Sequence, residues 1–372
     1  MAFRDILVTP FSELLDAHKG LSNHKGGPIW PEWDQQVQAR HCRDRRPVDR
    51  RPDQPRDDAK IPVVTEPLAW CGPLTMHFGH QIADFSTRIP VYRKLDRDLR
   101  YCFSVHPRTG VSDINTAPEF FLDLLRWFDV SPSRVRIINR PILAKELICV
   151  PQQEQLPQVP PSQPYLDLLD EHFRERRIKR PRKDVFYISR AGMPVHFAGE
   201  GYIEYVLGRN GVRVVRPECL SLHEQLRIYA AAKTLLFSEG SAMHGMQLLG
   251  RNIGQVHVLN RRAGSDLARQ LLQPRCAGVH YHDVGTLVHG INLAGEPALG
   301  TGISILDKTA FFTAAASAGI ALRDWSNDLF RRFAEMDVEA WYRREAASPR
   351  AEVPGSLSRI KGQLGDLGLA SR

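Results

Sequence analysis

The chain has 372 residues, of which 42% are hydrophobic and 25% are charged. Because one hydrophobic core rarely supports such a length, we expect two domains. No apolar run approaches the roughly 20 residues of a membrane-spanning helix, and the N-terminus lacks a signal-peptide pattern, so we expect a soluble, unsecreted protein. The net charge of +8 suits polyanions in general and does not select nucleic acid.

The N-terminal half contains three regions of different character. Residues 1–60 are expected to be irregular, because arginines alternate with aspartates and prolines over residues 40–56. Residues 61–150 alternate strand-like and helix-like patterns, including an amphipathic segment from His77 to about Leu95, and predict an α/β domain. Residues 151–164, PQQEQLPQVPPSQP, lack apolar periodicity and predict a stiff linker.

The pattern becomes more regular over residues 165–305. Short apolar strands such as VFYIS, VRVV, TLLFS and QVHVL alternate with helices, one of them opened by the capping box of Ser221 and Glu224. Such alternation predicts a parallel sheet with helices on both faces, which is Rossmann-like. Residues 306–372 are expected to form C-terminal helices and a tail, with one amphipathic helix packing across the seam between domains.

A doubly wound sheet binds its ligands beyond the carboxyl ends of its strands. Arginine and a Gly-Ser turn at such ends suit a diphosphate, because helix-start N–H groups and guanidinium both attract anions. The G-x-G-x-x-G and Walker patterns are missing, so a nucleoside diphosphate is favoured over a nicotinamide cofactor or NTP hydrolysis. The candidate binding residues are Arg190, Glu239, Gly240, Ser241, Ala242 and His244.

Two acidic residues in this region have alternative roles. Glu200 either caps its helix or binds the nucleotide ligand. Glu239 would be repelled by a diphosphate, so its carboxylate should point at hydroxyl groups of the ligand or pair with an arginine such as Arg190.

The order of several segments resembles glycosyltransferase family 61. They are FGHQIADFSTRIP (78–90), YISR (187–190), Glu200, GVRVVRPE (211–218), LSLHEQLRIYAAAK (220–233) and LLFSEGSAMHG (235–245). The resemblance implies a GT-B-like α/β fold, in which two Rossmann-like domains face a cleft. Residues 61–150 would then form the acceptor-side domain and residues 165–305 the nucleotide-sugar-binding domain. The chain departs from the family pattern at Glu239 to Ala242, where a His-Gly-Ala-Gly turn is usual.

The resemblance also implies an activity. It is the inverting transfer of a sugar from a nucleotide sugar, usually a UDP-sugar, to a glycan acceptor, as in bacterial capsular or surface-polysaccharide synthesis. The donor would be a substrate, with no further cofactor. We expect a cytoplasmic enzyme without nucleic-acid partners. The basic residues 174–183 fit either a solvated helix end, which we favour, or a contact for an anionic acceptor or for phosphates at the inner face of the cell membrane.

An inverting transfer needs a base for the acceptor hydroxyl. In HFGHQIADF, His80 and Asp84 are four residues apart and share one helical face. We favour Asp84 as the base, with His80 as the competing choice. The alternative without a catalytic role is a polar pair on the exposed face of a helix.

Two patterns resemble metal sites, and neither is favoured. Asp96-Arg97-Asp98 matches D-x-D but precedes a strand within a charged turn, and His280, His282 and Asp283 fit one polar face of a strand. We therefore expect a metal-independent reaction. The six scattered cysteines are expected to be reduced and structural.

The sequence is also compatible with two other functions. The altered turn at residues 239–242 is compatible with a noncatalytic glycan-binding or scaffold relative of the same fold. Another nucleotide-dependent transferase acting on surface polymers would use the same phosphate-binding features.

Overall fold

A computed structural model describes residues 1–15, 23–55, 60–95, 99–178, 183–251 and 253–369. The Asp96-Arg97-Asp98 triplet and residues 179–182 of the basic cluster lie outside these ranges. Within them, no helix has the length and apolar character needed to cross a membrane.

The N-terminal half is built on a mixed sheet. Its described strands are β1 (Ala2–Leu15), β2 (Asn23–Pro28), β3 (Cys42–Arg43), β4 (Arg46–Pro47), β5 (Asp49–Arg50), β6 (Val63–Val64), β7 (Leu68–Leu74), β8 (Arg100–Val105), β9 (Val135–Ile138) and β10 (Ile142–Ile148). The main order is β5-β2-β1-β10-β7-β8-β9. β1 is antiparallel to β2 and β10, whereas β10, β7, β8 and β9 pair in parallel. This half therefore differs from an all-parallel Rossmann-like domain.

The first 50 residues differ from the irregular segment expected for them. β1, β2 and β5 belong to the main sheet, and β3 and β4 form a small antiparallel pair. Residues 40–42 are buried, although charge and proline content favour exposure there. Arg40 is accommodated because its guanidinium pairs with Asp49 and covers the Trp33 ring.

Three helices pack on the N-terminal half: α1 (Phe78–Ala83), α2 (Ile89–Leu95) and α3 (Glu119–Trp127). The amphipathic segment expected from His77 to Leu95 is thus split into α1 and α2. Pro90 lies in the first turn of α2, where a residue without an N–H group fits best.

The expected linker is packed rather than solvated. Glu154 and Leu156 are buried in it. Its last residues belong to α4 (Gln163–Glu175), whose N-terminus is capped by Ser162.

The C-terminal half contains the predicted parallel sheet. Its strands are β11 (Val185–Ile188), β12 (Arg213–Val215), β13 (Thr234–Ser238), β14 (Ile253–Asn260) and β15 (Cys276–Asp283), and its helices are α5 (Glu200–Arg209), α6 (Leu222–Ala231) and the short α7 (Arg269–Leu272). The order is β12-β11-β13-β14-β15, a doubly wound arrangement that reverses between β11 and β13. The capping box of Ser221 and Glu224 is confirmed.

The last part of the chain covers the C-terminal half. It comprises β16 (Gly285–Val288), β17 (Ile303–Leu306), α8 (Lys308–Ser317), α9 (Asn327–Ala346) and α10 (Ser356–Asp366). Val338 and Trp341 of α9 share an apolar cluster with Ala198 and Ile303. α9 therefore packs within its own half, not across the seam as expected, because its apolar face is covered there.

The two halves share one hydrophobic core. Leu74 and Phe121 from the N-terminal half belong to the same buried cluster as Leu235 and Met243 from the C-terminal half. The seam is thus packed along one side, and an open cavity lies beside it.

Candidate functional site

The topology of the C-terminal sheet brings Arg190 and Gly240 together. Both follow strands on either side of the point where the strand order reverses, and such a point is where doubly wound sheets bind ligands. A Cβ on Gly240 would lie 2.0 Å from Nη1 of Arg190, so only glycine leaves room for the guanidinium. Burial lowers the pKa of Arg190, and nearby carboxylates oppose that effect.

A cavity of about 640 Å³ opens at this edge of the sheet. Its C-terminal wall includes Arg190, Ser241 and Ala242, and its N-terminal wall includes Phe78 and Phe120. The remaining lining residues are Glu119, Asp123, Arg126, Ser189, Met193, Pro217, Glu218, Cys219, Leu220, Ser221, Leu222 and Gln225. Its size and mixed lining suit a small polar ligand with an apolar part.

Ser241 begins a 3₁₀-helix, Ser241–Leu248, where an α-helix was expected. Gly240 precedes it in extended backbone. The first N–H groups of any such helix have no partner within it and point outward. Ser241 and Ala242 therefore carry available main-chain donors at the cavity wall.

The predicted residues His80 and Asp84 lie side by side in the N-terminal half, His80 within α1 and Asp84 at its C-cap. Asp84 is fully buried, and its carboxylate accepts two hydrogen bonds from Arg43, at 3.2 and 2.7 Å. His80 Nδ1 lies 3.0 Å from the same carboxylate, and 42% of the His80 side chain is exposed. Burial alone would raise the pKa of Asp84, but the His80 hydrogen bond and the Arg43 charge lower it well below its usual range.

His80 Nδ1 has two close partners. It lies 3.0 Å from the Asp84 carboxylate and 3.1 Å from Nη2 of Arg43. The ionised carboxylate only accepts and the guanidinium only donates, so the two contacts favour opposite tautomers of the neutral ring. In the tautomer whose Nδ1–H donates to Asp84, Nε2 carries the lone pair that a general base requires.

Close packing joins the two walls at Gly79. A Cβ on Gly79 would lie 2.9 Å from Cβ of Ser241 and 3.1 Å from Cδ2 of His244. Because Gly79 precedes His80, its lack of a side chain lets α1 approach the 3₁₀-helix. The N-terminal part of α1 therefore lies directly beside the start of the 3₁₀-helix.

His244 is buried between the walls. Its Nδ1 lies 2.7 Å from Oε1 of Gln247, and burial lowers the pKa of His244 to about 4. Because a carbonyl oxygen only accepts, Nδ1 carries the hydrogen and Nε2 is the acceptor. His244 is thus a neutral polar group near the site.

Glu239 turns away from the cavity, and its partner is not Arg190. Its carboxylate accepts hydrogen bonds from the backbone N–H groups of Arg261 and Arg262, from the Arg262 guanidinium and from the Ser265 hydroxyl. Burial raises the pKa of Glu239, and the Arg262 contacts outweigh that effect and lower it. The charge is therefore satisfied within the loop after β14, and Glu239 is not among the residues that line the cavity.

Glu200 is also satisfied internally. It is fully buried and accepts from Tyr187 Oη at 2.8 Å, Ser189 Oγ at 3.3 Å and the N–H groups of Arg190 and Phe197 at 2.7 and 3.0 Å. This geometry favours a role at the helix start, where Glu200 fixes the loop that carries Arg190, over direct contact with a donor.

Comparisons with known proteins bear on this arrangement. Residues 78–254 match the family model described as glycosyltransferase 61, and every candidate residue predicted for catalysis or donor binding lies inside that span. These residues form a glycosyltransferase family 61 domain. The chain is therefore an enzyme that transfers a donor sugar to an acceptor. A search of curated proteins found no match.

The histidines of β15 do not converge on one point in this glycosyltransferase. His282 Nε2 lies 3.0 Å from His257 Nδ1, a hydrogen bond between two rings. Asp283 instead accepts from Asn260 Nδ2 and from the Gly264 N–H group. The residues present therefore do not form the three-ligand site that the sequence pattern could have allowed.

One other group among the described residues is compact enough for a metal. It consists of Asp129, His172 and Glu175. Arg93 and Arg176 already pair with its two carboxylates, and His172 Nε2 contacts a backbone carbonyl. The group is an ion-pair network joining α2, α4 and the end of α3.

Arg43 belongs to the site, but the sequence did not predict it. It lies in the arginine-rich segment that we expected to be solvated, outside the span matched by the family model. No local pattern distinguishes it from neighbouring Arg45 or Arg46, because its contact with Asp84 spans 41 residues. Only the tertiary fold selects it.

Proposed function

We propose that this family 61 enzyme transfers a sugar with inversion from a nucleotide sugar, with UDP as the first nucleotide to test, to a glycan hydroxyl. The observation that carries the proposal is the cavity between the two walls, with Arg190 and Ser241 on one side and Phe78 of α1, the helix that also carries His80, on the other. A volume of about 640 Å³ accommodates a ligand of this class.

The C-terminal wall supplies the groups that a leaving diphosphate needs. Arg190 offers a guanidinium fork, and Ser241 and Ala242 offer backbone N–H groups at a helix start. Such fixed donors stabilise the charge that develops as the bond to the sugar breaks. We propose that they do so without a metal ion.

The N-terminal wall supplies the base, and its geometry favours His80 over Asp84. Asp84 is buried and already bound by Arg43 and His80, so an acceptor hydroxyl has no access to it. His80 Nε2 takes the hydroxyl proton as the acceptor oxygen bonds to the anomeric carbon. The bond from that carbon to the diphosphate breaks, and the diphosphate leaves with the electron pair. Asp84 stabilises the imidazolium that forms.

Calorimetry with UDP and GDP tests the donor side of this proposal. We expect one of them to bind, and binding should weaken when Arg190 is replaced. The absence of binding by any nucleoside diphosphate would overturn the proposal. A panel of sugar nucleotides with polysaccharide acceptors then identifies the reaction, and added chelator should leave turnover unchanged.

We further propose a capsular or surface-polysaccharide acceptor, a cytoplasmic location and a membrane contact through residues 174–183. Arg176 of that cluster is engaged by Asp129, so it is not available in full to a membrane phosphate.

A further inference from the structure

Two side chains of the segment 151–164, Gln152 and Glu154, form hydrogen bonds with residues on opposite sides of the site. Gln152 and Glu154 are both buried, although the sequence of this segment is typical of an exposed linker. Buried polar side chains need specific partners, and the partners of these two residues lie on different halves of the protein.

Glu154 forms a closed ion pair with Arg275. Its two carboxylate oxygens lie 2.9 Å from Nη1 and Nη2 of the guanidinium, and both side chains are almost fully buried. Burial raises the pKa of Glu154, while Arg275 opposes that effect. Removing either partner would leave a buried charge without compensation.

Arg275 in turn holds the far end of the 3₁₀-helix Ser241–Leu248. Its Nη2 donates to the Gln247 carbonyl at 3.2 Å, and its Nε donates to the Leu249 carbonyl at 3.1 Å. The side chain of Gln247 contacts His244 Nδ1 at 2.7 Å. Glu154 is therefore connected to His244 through two residues, neither of which touches the cavity.

Gln152 forms hydrogen bonds with the N-terminal half of the protein. Its Nε2 donates to the Asp84 carbonyl at 3.2 Å, and its Oε1 accepts from the Cys42 N–H group at 2.6 Å. Cys42 precedes Arg43, which binds the Asp84 carboxylate. One side chain thus ties together the end of α1 and the strand that carries Arg43.

We propose that Gln152 and Glu154 are positioning residues that set the spacing between α1, which carries His80, and the 3₁₀-helix Ser241–Leu248, which carries His244. This inference rests on the proposed function, because it takes the base and the diphosphate site to lie on these two helices. A misplacement of about 1 Å can cost on the order of 100-fold in rate, which makes such spacing a sensitive quantity.

The main test replaces the ion pair by apolar side chains of similar volume, in Glu154→Leu/Arg275→Met. Such replacements often preserve stability, while this one removes the bonds to the carbonyls of Gln247 and Leu249. We expect kcat per folded molecule to fall at least about tenfold, with the Kd for UDP, or for whichever nucleoside diphosphate the wild type binds, nearly unchanged. Glu345→Gln is a control, because Glu345 is a buried partner of Arg350 that does not line the cavity.

Gln152→Ala provides a second, independent variant. Gln152→Ala should also lower kcat. When it is combined with Glu154→Leu/Arg275→Met, the fold-decrease in kcat should be smaller than the product of the two separate fold-decreases, because both changes alter the same distance between α1 and the 3₁₀-helix. Histidine ¹⁵N NMR should also show that His244 loses its fixed Nδ1–H tautomer in Glu154→Leu/Arg275→Met but keeps it in Glu345→Gln.

The outcomes separate this inference from the proposed function. A wild-type enzyme that binds no nucleoside diphosphate overturns the proposed function. Wild-type transfer with unchanged kcat in Gln152→Ala and in the double variant overturns the positioning role alone. A fall in kcat equal to that of Glu345→Gln, with His244 unchanged by NMR, also overturns it.

Discussion

Asp84 and Glu239 are two buried carboxylates with nearly the same surroundings and different consequences. Each is fully buried, and each pairs with an arginine, Arg43 for Asp84 and Arg262 for Glu239. In both cases burial raises the pKa, and the hydrogen bonds together with the arginine charge outweigh that effect and lower it. Both are therefore ionised at neutral pH.

The difference lies in the remaining partner. Asp84 also binds the half-exposed His80 of α1, the helix whose Phe78 lines the cavity, whereas the other contacts of Glu239 stay within the loop after β14. A buried, paired carboxylate is thus not itself a reactive group. What matters is whether it orients a side chain that a substrate can reach.

The largest expected effect belongs to the proposed base. His80→Gln should lower kcat by about 10³-fold, because general-base catalysis is lost, while UDP binding measured by calorimetry should be unchanged. His77→Asn is the control, since His77 caps α1 through its Nδ1 and asparagine can also cap a helix. An equal loss in both variants would mean that α1, and not the base, had been damaged.

Asp84→Asn should have the next largest effect, a fall of about 10²-fold in kcat of the folded enzyme, because the carboxylate that stabilises the imidazolium is lost. The variant should also be less stable, since Arg43 then lacks its charged partner. Steady-state kinetics corrected for the folded fraction measures the effect. If Asp84→Asn loses more activity than His80→Gln, Asp84 is the base after all.

Gly240→Ala should weaken nucleoside diphosphate binding about tenfold, because the new Cβ would displace the Arg190 guanidinium, and a charge-assisted hydrogen bond contributes about 1.5 kcal/mol or more. Calorimetry measures the change. Gly208→Ala is a matched control, since a Cβ there meets nothing within 4 Å. Unchanged binding in Gly240→Ala would place the diphosphate elsewhere.

The smallest effect on transfer is expected for Glu239→Gln. The variant should lose about 1–2 kcal/mol of unfolding free energy in urea, a modest amount because the Arg262 side chain is 41% exposed and solvent screens the pair. Its kcat per folded molecule should match the wild type. A large loss of kcat at full stability would give Glu239 a direct role and remove the contrast with Asp84.

The C-terminal sheet could be predicted because its information is local. Apolar runs such as β13, whose residues are all buried, and the capping box of Ser221 have signals a few residues long. The prediction that Arg190 and Gly240 lie together followed from a general rule about strand ends. The periodicity of apolar residues and the rule that ligands bind at strand ends were therefore enough to predict this half.

The N-terminal half could not be predicted to the same degree, because its structure depends on distant pairs. β1 pairs with β10 across more than 130 residues, and Arg43 meets Asp84 only when the sheet has formed. The directions of Glu239 and Glu200 were likewise undetermined, since each depends on which donors the fold brings near. Polar residues in a solvated-looking segment, such as Glu154, give no local sign of burial.

The pH dependence of kcat/KM tests the central claim most directly. Asp84 has its pKa held well below the usual range by His80 and Arg43, so it stays ionised from pH 8 down to about 4 and produces no change in rate there. We predict that kcat/KM falls as the pH is lowered within this range, because a group other than Asp84 must take the acceptor's proton. A rate that stays constant down to about pH 5 would contradict the account and return the role of base to the carboxylate of Asp84.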